Sequence, residues 1–298
     1  MMWFRRPEFD RYARFMSHGS AREIFAWEEM CNTRLPLPSI TKQKEIIKEY
    51  NVIQNRIKLN SQLIQKLEES AQAIYKQWFV DFEFSFDFAH GKPDIKGKPF
   101  KSNGGQMVGS ELGEIPKGWR VGKLEDITKI TMGQSPKGES YNDEGIGTPL
   151  INGPVEFGNY FTNKSKWTTS VTKLSEFGDL IICVRGSTTG RFVKSDGVYC
   201  LGRGVCSFRA KQSQYFVDLL YINNIDKLLT YTTGSTFPNW DRQTLSNYPI
   251  ILSCLDTTQS FETKVNPIIK NIEYLSKEII LLSKLKNLLL SKLATIEG

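Results

Sequence analysis

The stretch from Arg185 to Lys211 holds Arg185, Arg191, Lys194, Arg203, Arg209 and Lys211 against one acid, Asp196. A net +5 of the chain's +7 therefore falls within 27 residues. Glycines and hydroxyls surround these cations in Arg185-Gly186-Ser187-Thr188-Thr189-Gly190-Arg191. Glycine lets backbone N–H groups come close to phosphate oxygens, and Ser and Thr add neutral donors. Arginine can fork onto guanine O6 and N7 in the major groove. Arg185, Ser187, Thr188, Thr189, Arg191, Lys194 and Arg203 are thus candidate contacts to double-stranded DNA. The plainer reading is a hairpin with ordinary surface charges. A second candidate, Thr232 to Arg242, is a polar loop with two aromatics. Phe237 and Trp240 read as rings that plug the core, which leaves Thr236, Asn239 and Arg242 to face a ligand.

Catalytic apparatus is missing from the sequence. There is no G-x-x-x-x-G-K-[ST] loop for a nucleotide and no G-x-S-x-G nucleophile elbow. No G-x-G-x-x-G follows a strand, and Gly202-Arg203-Gly204 is too short to count. Pro93-Asp94-Ile95-Lys96 is similar to a nuclease carboxylate motif, but no E-x-K follows it until Glu262. Two histidines and five scattered cysteines offer no metal-ligand spacing, so no metal or cofactor is expected. The cysteines read as small buried hydrophobes of a reducing compartment.

Two long helices flank the basic stretch in the pattern. Residues 41–78 carry the seam Ile46, Tyr50, Ile53, Ile57, Asn60, Ile64, Leu67, Ala71, Ile74 and Trp78, in alternating steps of four and three. This is a heptad stripe, uninterrupted by Pro or Gly, on a helix about 50 Å long. Residues 259–298 repeat the pattern with Phe261, Val265, Ile268, Ile272, Leu275, Ile279, Leu282, Lys286, Leu289, Leu293 and Ile296. Asn60 at a core position fixes register at some cost in stability, and Lys286 snorkels toward solvent. An offset of 215 residues lays Ile46 on Phe261, Ile64 on Ile279 and Gly19-Ser20 on Gly234-Ser235. The first eighty residues therefore read as a repeat of the end of the unit that follows.

Between the helices, residues 89–110 are rich in Gly, Pro, Lys and Ser and read as a mobile linker. From 111 to about 250, short β-like runs such as Leu180 to Val184 alternate with turn residues, and Tyr215 to Thr230 looks helical. An α+β globular domain is expected there. The run Trp78 to Phe88 alternates aromatic and acidic residues and reads as rings packed on a helix end. At 298 residues, 40% hydrophobic and 12% aromatic, the chain folds rather than staying disordered. No apolar run approaches membrane-span length and no signal peptide is recognisable, so a soluble cytoplasmic protein is expected.

Taken together, these segments resemble the specificity subunit of type I restriction-modification systems. The resemblance is carried by Glu111-Leu112-Gly113-Glu114-Ile115-Pro116-Lys117-Gly118-Trp119 at the domain's opening and by Arg185 to Gly190. Gly202-Arg203-Gly204 and the closing Gly234-Ser235-Thr236-Phe237-Pro238-Asn239 add to it. Leu35-Pro36-Leu37-Pro38 and Trp78-Phe79-Val80-Asp81-Phe82 match the entry and exit of the family's conserved helix. The resemblance implies an α+β target recognition domain flanked by two conserved helices packed as an antiparallel coiled coil. Ile53, Ile57, Asn60, Ile64 and Leu67 would then face Ile272, Leu275, Ile279, Leu282 and Leu289. It divides the chain into a remnant of a first recognition domain (1–38), the central helix (39–88), a linker (89–110), one complete recognition domain (111–255) and the C-terminal helix (256–298). It further implies a non-catalytic reader of one half of a bipartite DNA site. Methyltransferase subunits would dock on it and bring the restriction subunit to the complex. Homodimerisation would restore a second reading head to this short form. The competing expectation is a coiled-coil adaptor or oligomerisation protein whose middle domain binds protein.

Overall fold

The computed structural model describes residues 4, 6–17, 24–33, 39–94, 96–233 and 238–292. It resolves into two compact units, one of Met1–Gln65 with Tyr274–Gly298 and one of Lys66–Glu273.

The first unit contains α1 (Pro7–Met16), α2 (Trp27–Cys31), most of α3 (Ile40–Phe79) and the C-terminal part of a last helix, α7 (Leu255–Lys292). Forty residues without Pro or Gly let α3 run about 60 Å unbroken. In this unit Ile46, Tyr50 and Asn60 are buried along the stripe expected from the heptad, while Ile53, Ile57 and Ile64 are half-buried. Across from them, Ile279, Leu282, Lys286 and Leu289 of α7 are also half-buried. The Asn60 amide donates to Glu278 Oε2 at 2.8 Å. Arg56 forks onto the same carboxylate, Nε to Oε1 at 2.8 Å and Nη2 to Oε2 at 3.1 Å. Lys286 Nζ reaches Gln54 Oε1 at 3.4 Å. Partners fall along α7 as positions rise along α3, so the pairing is antiparallel.

The second unit begins with the end of α3 and then builds a run of short strands. These are β1 (Ser85–Asp87), β2 (Lys92–Pro93), β3 (Lys98–Pro99), β4 (Met107–Ser110), β5 (Gly113–Pro116), β6 (Arg120–Lys123), β7 (Thr128–Met132) and β8 (Tyr141–Asn142). They continue as β9 (Thr148–Ile151), β10 (Trp167–Thr168), β11 (Leu180–Cys183), β12 (Phe192–Lys194), β13 (Cys200–Leu201), β14 (Val205–Ala210) and β15 (Pro249–Leu252). Helices α4 (Leu124–Ile127), α5 (Gln214–Leu229) and α6 (Arg242–Ser246) interleave with them. Two four-stranded sheets, in the orders β12-β11-β14-β7 and β13-β9-β10-β8, share a core of Ile151, Ile181, Cys183, Val193, Tyr199, Leu201 and Val205. The architecture is α+β, with a long helix on either side of the sheets in sequence.

Within this unit the helix pair is sealed by rings. Phe261 of α7 lies 4.9 Å from Phe79, 5.8 Å from Trp78 and 6.1 Å from Tyr75, measured between ring centroids. Along α7 the buried positions include Thr257, Phe261, Val265, Ile269 and Ile272 here and Ser276 and Leu290 in the first unit, so after Val265 burial favours Ile269 over Ile268 and Ser276 over Leu275. A straight helix of 3.6 residues per turn drifts away from a strict 3.5 repeat in this direction. Ala71 is buried, whereas Leu67 and Ile74 are half-buried.

Residues 89–110 differ from the mobile linker expected of them. Strands β2, β1 and β3 form a small antiparallel sheet, and β4 pairs with β5. The aromatic run supplies the anchor that Gly and Pro content conceals. Phe84 stacks on Phe100 at 4.6 Å and on Trp119 at 5.2 Å. Gly97 lies against the Phe86 backbone so closely that a Cβ there would come within 2.4 Å of the Phe86 carbonyl carbon. The glycine serves a close approach of two backbone segments, not freedom of motion.

Candidate nucleic-acid interface

Strand β11 is buried throughout, as a run of Leu, Ile, Ile and Cys requires. At its end Val184 joins three loops. Its N–H donates to Gly204 O at 2.9 Å, and its carbonyl accepts from Trp240 N at 3.0 Å. Directly after it, Arg185 bridges to Asn239, and Gly186 N donates to Pro238 O at 2.9 Å. The Arg185–Arg191 loop, the Gly202–Gly204 turn and the Pro238–Arg242 segment, far apart in sequence, therefore meet at one point.

The first loop is held from both sides. Cys183 N donates to Arg191 O at 2.8 Å and Gly190 N to Cys183 O at 2.9 Å, which closes its base. The Tyr221 hydroxyl of α5 donates to Gly190 O at 2.8 Å. Thr189 Oγ1 contacts both Gly186 O (2.8 Å) and Pro238 O (2.9 Å), so this hydroxyl ties loops together. Ser187 is exposed and Thr188 half-buried beside Cys183. Burial pushes the Cys183 thiol up to about 11, against the opposing pull of Thr188 and of the Arg191 charge. A thiol so placed is a packing element, not a nucleophile.

In the second loop, glycine meets a steric demand from the protein itself. A Cβ on Gly202 would sit 2.0 Å from Asn152 Oδ1, and one on Gly204 would sit 2.3 Å from Asn152 O. Between them Arg203 is exposed, and its N–H donates to Ser135 Oγ at 3.3 Å. In the third loop, Thr233 and Asn239 exchange backbone hydrogen bonds at 3.0 and 3.1 Å. Asn239 Oδ1 is buried without a hydrogen-bond partner among the described residues. Trp240 is buried and donates from Nε1 to Leu228 O at 3.0 Å, a core plug as expected. Arg242 is exposed at the start of α6, behind the Asp241 cap, which accepts from Thr244 N at 2.7 Å. Thr236 and Phe237 lie outside the described residues.

The basic cluster is thinner than its composition suggests. Lys194 is not available to a ligand. Its Nζ is buried 2.5 Å from Asp218 Oδ2 and also donates to Gly178 O at 2.5 Å. Strand alternation explains this, because Lys194 shares a face with Phe192, whose ring meets Tyr221 of α5. Arg209 forks onto Asp179 at 2.8 and 2.9 Å and also pairs with Glu176. Lys211 Nζ donates to Glu125 O at 2.7 Å. Arg185, Arg191, Arg203 and Arg242 remain exposed, with no acidic partner among the described residues.

A fourth segment, with no charge cluster in its sequence, belongs to the same rim. Gly133 N donates to Val205 O at 2.9 Å and Gln134 N to Leu201 O at 2.8 Å, which sets Ser135 beneath Arg203. Exposed Lys137 follows. The visible signal was the turn-rich string Gly133-Gln134-Ser135-Pro136-Lys137-Gly138. Among the described residues no three His, Cys, Asp or Glu side chains converge as metal ligands, and no helix is long and apolar enough to cross a membrane.

Residues 116–289 match the family described as the type I restriction modification DNA specificity domain. The chain belongs to the type I restriction-modification specificity family. It is 29% identical over 273 residues to a putative type I restriction enzyme specificity subunit, MjaX, of Methanocaldococcus jannaschii, which covers 90% of this chain and 60% of that relative. The MjaIX specificity subunit of the same organism is 24% identical over 303 residues, covering 97% of this chain and 66% of the relative. The chain thus spans about three fifths to two thirds of the length of these specificity subunits. The crystal structure of a type I restriction-modification S subunit from M. genitalium shares the fold, with a TM-score of 0.56 at 14% identity over 94% of this chain and 68% of that one. All four exposed arginines of the rim fall within the family match.

Proposed function

We propose that this specificity-family chain is a non-catalytic reader of double-stranded DNA, acting in the cytoplasm. Residues 111–255 form the recognition domain and read one half of a bipartite site. Arg185, Arg191, Arg203 and Arg242 contact the duplex, with Ser187, Thr188, Asn239 and Thr236 in support and Thr189 holding two loops in register. The reading rests above all on Val184, which joins three loops and so gathers exposed arginines that the sequence scatters. Phosphate contact by such a group is electrostatic and displaces counterions.

Helices α3 and α7, within the segments 39–88 and 256–298, dock methyltransferase subunits, and the restriction subunit joins through them. Tyr274, Leu281, Leu285 and Leu288 support this reading, since they repeat at heptad spacing on α7 and are all more than half exposed. A protein partner would cover such a stripe. The same stripe would serve a homodimer or an adaptor, which is why the DNA measurement decides. Fluorescence anisotropy of the chain on a random duplex, repeated from low to moderate salt, gives the slope of log K against log salt. Replacing Arg185, Arg191 and Arg203 together by Ala should lower that slope by about 3 units. An unchanged slope removes these residues from the interface, and salt-insensitive or absent binding leaves the adaptor.

A further inference from the structure

A cavity of ≈ 300 Å³ lies in the second unit, bounded by α3, α5, α7 and strands β11 and β12. That space equals about ten waters and lies at the lower end of the range for small-molecule sites. Ala71, Leu180, Phe192, Leu219 and Ile272 give it apolar walls. Its polar lining includes exposed Glu68 and half-buried Gln72, Tyr160 and Tyr215, and none of these has a side-chain hydrogen-bond partner among the described residues. The charges are unbalanced as well. Lys194 and Asp218 line the cavity but neutralise each other at 2.5 Å. Glu68 remains, and Glu273 is close enough to add to the rise in pKa of both tyrosine hydroxyls, of which burial is the larger cause, Tyr215 being pushed up to about 12. The surplus is negative, and aromatic faces are present to receive a cation.

We propose that this cavity binds a small organic cation with an apolar body, its ammonium directed to Glu68 and its body against the apolar wall. An arylalkyl amine has this chemistry. The walls come from α5, from the helix pair and from the strand that follows Arg191, so the site lies behind the arginine rim and is separate from it. Its occupancy does not depend on the DNA reading.

Isothermal titration of the full chain with 2-phenylethylamine and with its neutral near-isostere 2-phenylethanol tests the assignment. The amine should bind once per chain, with Kd on the order of 1 mM for so small a ligand. The alcohol should bind at least about tenfold more weakly, because it lacks the charge-assisted hydrogen bond. Glu68→Gln, at an exposed helix position, should weaken the amine about tenfold and leave the alcohol unchanged. Ile222→Trp, which fills the cavity from α5, should abolish binding of both, with a retained melting temperature reporting an intact fold. Equal affinity for amine and alcohol, binding of neither, or amine binding indifferent to Glu68→Gln overturns the proposal.

Discussion

Arg191 and Lys194 sit on the same short hairpin and meet opposite surroundings. Arg191 ends a loop and is exposed, while Lys194 lies on β12 and turns toward α5, where Asp218 holds it. Counting charge along the sequence made these two residues equivalent, because the deciding partner is 24 positions away and on another element. Arg209 was hidden in the same manner by Asp179 and Glu176. Strand alternation alone could have warned that Lys194 shares a face with Phe192, but not that an acid waited there. Burial pushes the Asp218 carboxyl upward, and the Lys194 charge pulls it back, with Gln214 Nε2 donating to its second oxygen at 2.8 Å. Removing one partner strands the other charge in an apolar site, a larger loss than the pair's own net worth. Asp218→Ala should therefore cost about 3–5 kcal/mol in urea unfolding, whereas Lys194→Met with Asp218→Leu should cost much less. A double variant as unstable as the single would show that the site needs the ions themselves, not merely their mutual neutralisation.

At the level of elements, the heptad seam was the most legible feature, because a period near 3.5 specifies a buried stripe whatever packs against it. Ile46, Tyr50, Ala71, Trp78, Phe261, Val265 and Ile272 are all buried. Asn60 was recognisable as a polar core position, but its partner was not. That partner is Glu278 from the other helix, which Arg56 also grips. The stretch 89–110 misled in the other direction. Its Gly and Pro content reads as flexibility, whereas the neighbouring rings Phe84 and Phe100 make a small ordered sheet of it. The Glu278 site carries a pH signature with a definite sign. Hydrogen bonds from Arg56 and then Asn60 hold its carboxyl below the ordinary glutamate value of 4.5. A depressed folded pKa means that the contribution is present above 4.5 and lost as pH falls through the lower folded value. Glu278→Gln should flatten that part of the acid branch of thermal melts while leaving the rest of the curve in place. An acid branch identical to that of the unsubstituted chain would assign no register role to this cluster.

For the molecule as a whole, a net charge of +7 in 298 residues is modest, and a uniform coat of that size would attract any polyanion weakly. The fold redistributes it. Lys194 and Arg209 are neutralised internally, and Arg185, Arg191 and Arg203 are left exposed on loops that Val184 and the β13–β14 turn bring together. Location and total charge can be separated experimentally, because the chain carries a second basic group of equal size. Lys92, Lys96 and Lys98 lie on the small sheet and its turn, and all three are exposed. Replacing them by Gln removes the same three charges as the Arg185, Arg191 and Arg203 alanine variant. If net charge drives DNA binding, both triples should lower the salt slope alike. If the loop cluster is the interface, the lysine triple should keep the slope within about half a unit of the unsubstituted chain, and the arginine triple should lose about 3 units. Long-range attraction from the lysines would still appear as a small fall in association rate at low salt, because steering acts at a distance whereas counterion release requires contact. A slope lowered equally by both triples would return the DNA affinity to the chain's overall charge and detach it from the loops.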